Sequence, residues 1–218
     1  MSIASAKPAP AERECPTLLC VARHGETDWN ISGILQGWID VPLNDTGRQQ
    51  AHAMAESLQA FGFSAVCTSP LIRSAETAEI VANAWELPPP VRYEGMKERH
   101  FGLIQGVPKS ELSVTHPGLH QEVLRRNPAC HFDEGECIDR FADRVLDGLE
   151  SIAREHAGQR VLVITHGWVM DAITRHIRQL PRDAVLNMKR KNGECVWVRV
   201  CAGPHFSEVP PPDLETPD

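Results

Sequence analysis

Residues 18–27, Leu-Leu-Cys-Val-Ala-Arg-His-Gly-Glu-Thr, decide the fold of this chain of 218 residues. Five apolar residues in a row are typical of a short strand that is buried on both faces of a parallel sheet. The run ends in a histidine that is followed by glycine. Residues 161–167, Val-Leu-Val-Ile-Thr-His-Gly, repeat this arrangement near the other end of the chain. The sequence therefore predicts two buried strands, each with a histidine at its carboxyl end.

The two histidines, His24 and His166, are predicted to face one site. In an open parallel sheet, the ligand crevice lies beyond the carboxyl ends of the strands. Gly25 and Gly167 lack side chains, so each leaves its backbone N–H unobstructed and lets the chain turn toward a ligand, which suits an anion. One His-Gly pair alone fits an ordinary strand-to-turn junction equally well. Two copies, one of them preceded by Arg23, favour a shared anion site.

The order of the remaining elements predicts an α/β domain. Apolar periodicity predicts helices over 46–61, 138–156 and 169–177 and strands over 65–68 and 195–200. Ser69 and Pro70 are expected to be the N-cap and the first residue of a further helix that runs toward Ala84. We expect one folded domain over 17–203. The flanking residues 1–16 and 204–218 are rich in proline and are expected to be disordered.

Composition excludes several classes of protein. Hydrophobic residues make up 42% of the chain and charged residues 23%, as in soluble globular domains, and no apolar run is long enough to cross a bilayer. The first sixteen residues lack the basic start and apolar stretch of a secretory signal, so a cytoplasmic location is expected. A net charge of −7 argues against nucleic acid as a partner.

The cysteines and the remaining histidines predict neither a metal site nor a cofactor. Seven cysteines are scattered without paired spacing, so we expect reduced thiols, several of them in strands. His116 and His120 have the spacing of a helical metal pair, but Pro117 and Gly118 lie between them and break the helix that the spacing requires. The other histidines show no partner pattern and are expected at the surface; they stand at positions 52, 100, 131, 156, 176 and 205.

Arginine and histidine side chains near the predicted strand ends suit phosphoryl chemistry. A phosphoryl group needs cations around its non-bridging oxygens and a nucleophile in line with the leaving group. Arg23 and Arg73 can make bidentate contacts to phosphate, for which guanidinium is better matched than an ammonium group. His24 is the predicted nucleophile, since neutral imidazole is reactive at physiological pH and can form a covalent phospho-enzyme. His166 is expected to give a hydrogen bond or a positive charge to the same oxygens.

Several sequence blocks occur in an order that is much more specific than any one of them. They are Arg23-His24-Gly25-Glu26-Thr27 with Asn30, Gln36-Gly37-Trp38 to Pro42-Leu43 and Gly47, Thr68-Ser69-Pro70 with Arg73, Glu98-Arg99 to Phe101-Gly102, and Thr165-His166-Gly167. Together they resemble the histidine phosphatase superfamily, the phosphoglycerate-mutase-like family. The resemblance implies a three-layer α/β/α sandwich with a mainly parallel central sheet and a phosphohistidine on His24. It also implies a phosphate pocket, whose members are Arg23, Arg73, His166 and Gly167, with a contribution from Asn30.

Glu98 is the predicted general acid. Expelling an alkoxide requires a proton donor in the transition state. Glu98 stands at the position that the resemblance gives to this acid, and repulsion from nearby phosphate oxygens is expected to raise the pKa of its carboxyl group. Without the resemblance, Glu98 would be interpreted as a solvated residue of a charged loop. Glu26 is a weaker alternative that is expected to orient neighbouring groups.

Phosphatases and mutases of this family differ in what accepts the phosphoryl group from histidine. The mutases resemble one another in a long lid with a tyrosine, a lysine and an arginine pair that bind the substrate carboxylate. Phe101 replaces the tyrosine here, although Lys109 and the pair Arg125 and Arg126 stand at compatible spacing. The segment from Arg126 to Gly135 is much too short for that lid, which predicts an open site that water can enter.

The sequence therefore favours a metal-independent phosphomonoesterase that hydrolyses a small phosphorylated metabolite through a phosphohistidine on His24. A cofactor-dependent phosphoglycerate mutase is the alternative. A non-catalytic phospholigand-binding module would require a lost nucleophile or acid, whereas all the candidates are present. The sequence specifies neither the substrate nor the oligomeric state. Trp29 and Trp38 either wall the site or fill the loop after the first strand, and Cys137 has no assigned role.

Overall fold

A six-stranded sheet forms the centre of the computed structural model, which describes residues 16–201 and 205–213. Its strands are β1 (Thr17–Arg23), β2 (Ala65–Thr68), β3 (Val91–Arg92), β4 (Arg160–Thr165), β5 (Cys195–Cys201) and β6 (His205–Val209). The order across the sheet is β3-β2-β4-β1-β5-β6. The first four strands are parallel to one another, whereas β5 runs antiparallel to β1 and to β6. The expected mainly parallel sheet is confirmed.

Helices cover both faces of this sheet. They are α1 (Asp28–Ile31), α2 (Asp45–Leu58), α3 (Ile72–Ala84), α4 (Lys109–Thr115), α5 (Pro117–Leu124), α6 (Ile138–Glu155) and α7 (Gly167–Ile177). Side chains alternate along β1, so that Leu19 and Val21 pack in one core with α6 and α7, while Cys20 and Ala22 pack in a second core with α2 and α3. The fold is therefore the expected three-layer α/β/α sandwich.

Strand register brings the two predicted histidines to one edge of the sheet. β1 pairs in parallel with β4, and Arg23 lies opposite Thr165. The backbone N–H of His24 donates to the Thr165 carbonyl over 3.0 Å, which continues the ladder by one residue. His24 and His166 therefore leave neighbouring strands at the same level. This confirms that the two His-Gly pairs belong to one site.

Two expectations about local structure are wrong. Ser69 does not cap a helix, because α3 begins at Ile72 after the extended residue Leu71, and the Ser69 hydroxyl instead contacts His166. Residues 205–209 were expected to be disordered but form β6, which pairs antiparallel with β5. The run Pro210-Pro211-Pro212, which cannot continue a sheet, comes only after the strand has ended. The expected N-terminal tail lies almost entirely outside the described residues.

The other sequence-predicted elements are confirmed to within a few residues, including α2, β2, α6, α7 and β5. The six cysteines within 16–201 are free thiols, and four of them lie in strands: Cys20, Cys67, Cys195 and Cys201. Of the helices in the described part of the chain, none is long and apolar enough to span a membrane.

Candidate active site

His24 leaves the end of β1 and is only 3% exposed. Its Nδ1 lies 2.6 Å from the carbonyl oxygen of Gly25. Because a carbonyl only accepts hydrogen bonds, Nδ1 must carry the proton, so the neutral ring presents the lone pair of Nε2. Burial, reinforced by the positive charges of Arg73 and Arg23, holds the pKa of His24 well below its usual range. The imidazole is therefore neutral and suited to attack phosphorus.

Gly25 serves packing rather than ligand binding. A Cβ atom at this position would lie 2.4 Å from the Gly47 carbonyl oxygen, so only glycine allows the loop after β1 to meet the first turn of α2. The Gly25 N–H donates to the Thr77 hydroxyl over 3.1 Å. The expectation that this N–H is free for an anion is therefore wrong, because a buried side chain on α3 already accepts it.

His166 precedes α7 and is fully buried beside His24, with 5.1 Å between the ring centroids. Its Nε2 lies 2.8 Å from Ser69 Oγ, which also accepts the Leu71 N–H. The Ser69 hydroxyl can then donate to Nε2. The single N–H proton of a neutral His166 ring is therefore on Nδ1. Nδ1 has no hydrogen-bond partner among the residues described. Burial and nearby cations lower the pKa of His166, so it offers a hydrogen bond rather than a charge.

Arg23 and Arg73 bring two fixed guanidinium groups to the same place. Arg73, on α3, is 1% exposed and donates from Nη1 and Nη2 to the Ile39 and Gly37 carbonyls over 3.0 and 2.8 Å. Arg23 donates from Nη1 to the Arg190 carbonyl over 2.6 Å. In both side chains the buried Nε is without a partner within the described part of the chain. Burial lowers the pKa of each to about 10, which leaves both charged at neutral pH.

Glu98 is 9% exposed, and its carboxylate accepts the N–H of Arg99 at 2.9 Å. Its other oxygen lies 3.5 Å from the backbone nitrogen of Trp168, in the first turn of α7. The pKa of Glu98 is raised, and the cause is burial, opposed by Arg126, the Arg99 N–H, Arg73 and Arg23. The protein itself supplies this shift before any phosphate is bound, and the expected repulsion from phosphate oxygens stays a prediction. The Glu98 carboxylate thus interacts electrostatically with the arginines of the pocket.

The backbone around Glu98 is held from several sides. Its carbonyl accepts hydrogen bonds from the Trp38 indole N–H and from Arg144, over 2.6 and 3.2 Å. The buried guanidinium of Arg99 donates to the carbonyls of Pro128, Cys130 and Glu136. Arg99 thereby ties the short segment after α5 against the site. This segment and its neighbours leave the side chains of His24 and Glu98 almost covered.

Asn30 lies beside the pocket in a role that the sequence did not predict. Its Oδ1 accepts the Thr27 N–H over 3.1 Å and completes a capping box at the start of α1. Asn192, which the sequence analysis missed, donates to the His24 carbonyl over 2.9 Å and lies 3.4 Å from Asn30 Oδ1. The Asn30 oxygen is therefore committed to the protein, and only its amide N–H groups remain for a substrate. Asn192 lies in a Lys-Asn-Gly turn that carries no signal of this contact.

Arg126 and Lys109 extend the positive charge of the pocket, whereas Arg125 is exposed. A Cβ atom on Gly167 would lie 3.2 Å from Arg126 Nη2, which places this guanidinium over the start of α7. Arg126 is held by the buried carboxylate of Asp171, with 2.6 Å between Nη2 and Oδ2. Burial, followed by the charges of Lys189, Arg126 and Arg23, lowers the pKa of Lys109. Asp171 is a further residue that the sequence reasoning missed.

The remaining sequence candidates lie outside this pocket or support it. The Glu26 carboxylate accepts a hydrogen bond from Asn44, the N-cap of α2, over 3.1 Å. Trp38 contacts Glu98 as described, while Trp29 is half-buried and approaches Gly106. His116 is exposed and separates α4 from α5, and the described ranges hold no cluster of three or more metal-ligating side chains. Cys137 is the exposed N-cap of α6, and its side chain makes no capping hydrogen bond.

Buried arginines and neutral imidazoles at the carboxyl ends of parallel strands define the chain as an enzyme that acts on phosphate esters. A family model described as histidine phosphatase superfamily (branch 1) matches residues 19–206, so the chain belongs to this superfamily.

Relatives of this chain carry the names of phosphatases and of mutases. A protein of Arabidopsis thaliana named metal-independent phosphoserine phosphatase is 38% identical over 165 residues, which cover 75% of this chain and 69% of the relative. A protein of Gloeobacter violaceus named 2,3-bisphosphoglycerate-dependent phosphoglycerate mutase 2 is 33% identical and is covered over 78% of its length, against 77% of this chain. The solved structure of Bacillus stearothermophilus YhfR superposes with a TM-score of 0.81 at 31% identity, covering 88% of this chain and 95% of that chain.

Proposed function

We propose that the protein is a metal-independent phosphomonoesterase that hydrolyses a small phosphorylated metabolite through a phosphohistidine on His24. Three buried donors without partners among the described residues carry the proposal: Arg23 Nε, Arg73 Nε and His166 Nδ1. Buried polar atoms of native proteins are almost always paired, so donors left without partners beside one imidazole indicate a site for an anion. The charges of Arg23 and Arg73 act on His24, which supports binding of that anion beside its ring.

The first step transfers the phosphoryl group to the enzyme. The lone pair of His24 Nε2 attacks phosphorus, the P–N bond forms, and the ester P–O bond breaks on the opposite side. The Gly25 carbonyl accepts a hydrogen bond from Nδ1–H throughout the step. This hydrogen bond stabilises the positive charge that develops on the ring. The guanidinium groups and His166 Nδ1–H bind the non-bridging oxygens more tightly as they gather charge. These groups supply the positive charge that a metal ion supplies in other phosphatases.

Glu98 acts in both steps, as a proton donor in the first and as a base in the second. Burial raises the pKa of Glu98, so its carboxyl group can give a proton to the departing alkoxide. The carboxylate then takes a proton from water as the water oxygen attacks phosphorus. The P–N bond breaks, inorganic phosphate leaves, and neutral His24 is restored. The Arg99 N–H steadies the carboxylate in its ionised form.

A second negative charge on the substrate would match the rest of the pocket. Arg126 and Lys109 lie beside the phosphate site, and Arg126 is oriented by Asp171. We therefore expect a phosphorylated metabolite that also carries a carboxylate. The name of the Arabidopsis relative, a phosphoserine phosphatase, supports this class.

Phosphate release from O-phosphoserine and from p-nitrophenyl phosphate, measured in the presence of a chelator, tests the proposal. We expect turnover of both substrates in the chelator, inhibition by vanadate, and no turnover by His24→Ala. His52→Ala is the matched control, since His52 is an exposed histidine on α2. Activity that vanishes with the chelator and returns with added zinc or magnesium would contradict the proposal.

The mutase remains the second candidate because Arg126 and Lys109 provide positive charge where a carboxylate would bind. The same enzyme preparation separates the two functions when it is given 3-phosphoglycerate together with 2,3-bisphosphoglycerate. A phosphatase releases inorganic phosphate, whereas a mutase produces 2-phosphoglycerate without net release. Isomerisation that exceeds phosphate release would establish the mutase.

A further inference from the structure

A cavity separate from the candidate active site lies between α6 and α7, and none of the candidate catalytic residues lines it. Its volume is about 390 Å³, which falls within the range of small-molecule sites. Four residues of α6 form one wall: Ile138, Phe141, Ala142 and Leu146. The opposite wall includes Ala172 and Arg175 of α7. The cavity is therefore mainly apolar, with a guanidinium group at its side.

Arg175 is 4% exposed and is poorly satisfied. Its Nε donates to the Ala184 carbonyl over 2.7 Å. Its buried Nη2 has no hydrogen-bond partner within 16–201 and 205–213. Buried guanidinium groups keep their charge in proteins. Because Arg175 lines the cavity, it places a positive charge in the cavity wall.

Asp171, whose charge acts on Arg175, forms its ion pairs with other arginines. Asp171 lies one turn earlier on α7, but its two oxygens are bound by Arg126 and by Arg190, at 2.6 and 3.3 Å. The other arginine of the cavity, Arg182, differs because it forms an ion pair with Asp139 at 2.9 Å. Arg175 makes no ion pair with any carboxylate in the described ranges. An external anion is the partner that this arrangement lacks.

We propose that this cavity is a binding site for a small amphipathic carboxylate, whose charged group binds Arg175 and whose hydrocarbon body packs against α6. A carboxylate matches a guanidinium in a bidentate pair. One arginine without an ion pair, in a lining that is mainly apolar but includes His176 and Gln179, suits one negative charge, whereas a dianionic phosphate would bring a second charge without a partner. The volume equals that of about 13 water molecules at roughly 30 Å³ each, enough for a chain of the size of octanoate.

Calorimetric titration of the full chain with octanoate, and with octanol as the neutral analogue, tests the site. We expect one octanoate to bind per chain. Octanol should bind at least about tenfold more weakly than octanoate, because a hydrogen-bonded charge contributes about 10- to 100-fold in affinity. Arg175→Met is expected to reduce octanoate affinity to that of octanol. Ala142→Phe, which fills the cavity from α6, is expected to abolish binding of both. Arg182→Met is the matched control and should keep octanoate affinity within about twofold, since Arg182 is already paired.

Three results would overturn the proposal. The first is no octanoate binding up to about 10 mM, a concentration at which even weak sites of millimolar affinity are filled. The second is equal affinity of the wild-type chain for octanoate and octanol, a comparison that does not depend on any variant folding. The third is loss of octanoate binding in Arg73→Met, which would place the carboxylate in the catalytic pocket.

Discussion

Arg73 provides the sharpest test of the phosphate pocket, because the structure gives both sides of the balance for its replacement by methionine. A pre-placed contact to the transferring group is worth about 2.7–4 kcal/mol by analogy with an oxyanion donor, or about 10²- to 10³-fold in kcat/KM. Arg73→Met also leaves the Gly37 and Ile39 carbonyls without donors, at about 1–3 kcal/mol each if water cannot reach them. Against this, burial lowers the pKa of Arg73 to about 10, so removing the charge relieves part of its desolvation cost. These two effects on stability oppose each other, and we expect the variant to fold.

The assay for Arg73 is kcat/KM on p-nitrophenyl phosphate and on an alkyl phosphate. Both substrates should lose the same factor, because Arg73 binds the phosphoryl group that they share. Arg73→Lys should recover only part of the loss, since an ammonium group cannot reach the two carbonyls and the substrate together. Arg92→Met is the control, as Arg92 forms an exposed ion pair with Glu79. A kcat/KM of Arg73→Met within about threefold of the wild type would refute the assignment.

Three further predictions concern the acid, the anion partner and pH. Glu98→Gln should reduce kcat/KM on alkyl phosphates by about 10²- to 10⁴-fold and on activated aryl phosphates much less, provided that transfer to His24 limits that parameter; equal losses would mean that Glu98 only positions the substrate. Asp171→Asn should raise KM for O-phosphoserine by about tenfold, because Arg126 loses the carboxylate charge that orients it. The KM for O-phosphoethanolamine, which lacks the carboxylate, should stay nearly unchanged. Asp143→Asn, on the surface of α6, is the control variant. If Asp171→Asn changed KM equally for both substrates, Asp171 would have no role in recognising the carboxylate. The folded-state pKa of His24 lies below its unfolded value of 6.5, so its contribution to stability is complete above that pH and is lost as pH falls through it. As pH falls from about 6.5 to about 5, thermal unfolding should therefore show that His24→Asn becomes more stable relative to the wild type. A constant difference in stability between the two proteins across this range would exclude a contribution from the titration of His24.

The strands and the pair of histidines could be predicted from sequence because both depend on local pattern. Five apolar residues before Arg23 are typical of a buried strand, and the similar run before His166 suggested the parallel pairing that the structure shows. Ser69 misled the prediction because Ser-Pro is the usual start of a helix, whereas a tertiary contact with His166 claims its hydroxyl group.

The supporting residues of the site could not be predicted because their roles depend on long-range contacts. Asn192 reaches His24 across 168 positions of sequence, and Asp171 joins Arg126 across 45. Gly25 was correctly singled out but for the wrong reason, since its constraint is the Gly47 carbonyl 2.4 Å from where a Cβ would stand. Each of these is set by how separate elements meet, which no local motif encodes.

Rapid-quench turnover with a substrate labelled at phosphorus tests the central claim most directly. Phosphohistidine is labile in acid and stable in base. We predict that the wild-type chain traps label with this behaviour on the peptide that contains His24, that His52→Ala traps the same amount, and that His24→Ala traps none. Label on a serine or cysteine, or turnover by His24→Ala at the wild-type rate, would contradict the phosphohistidine mechanism.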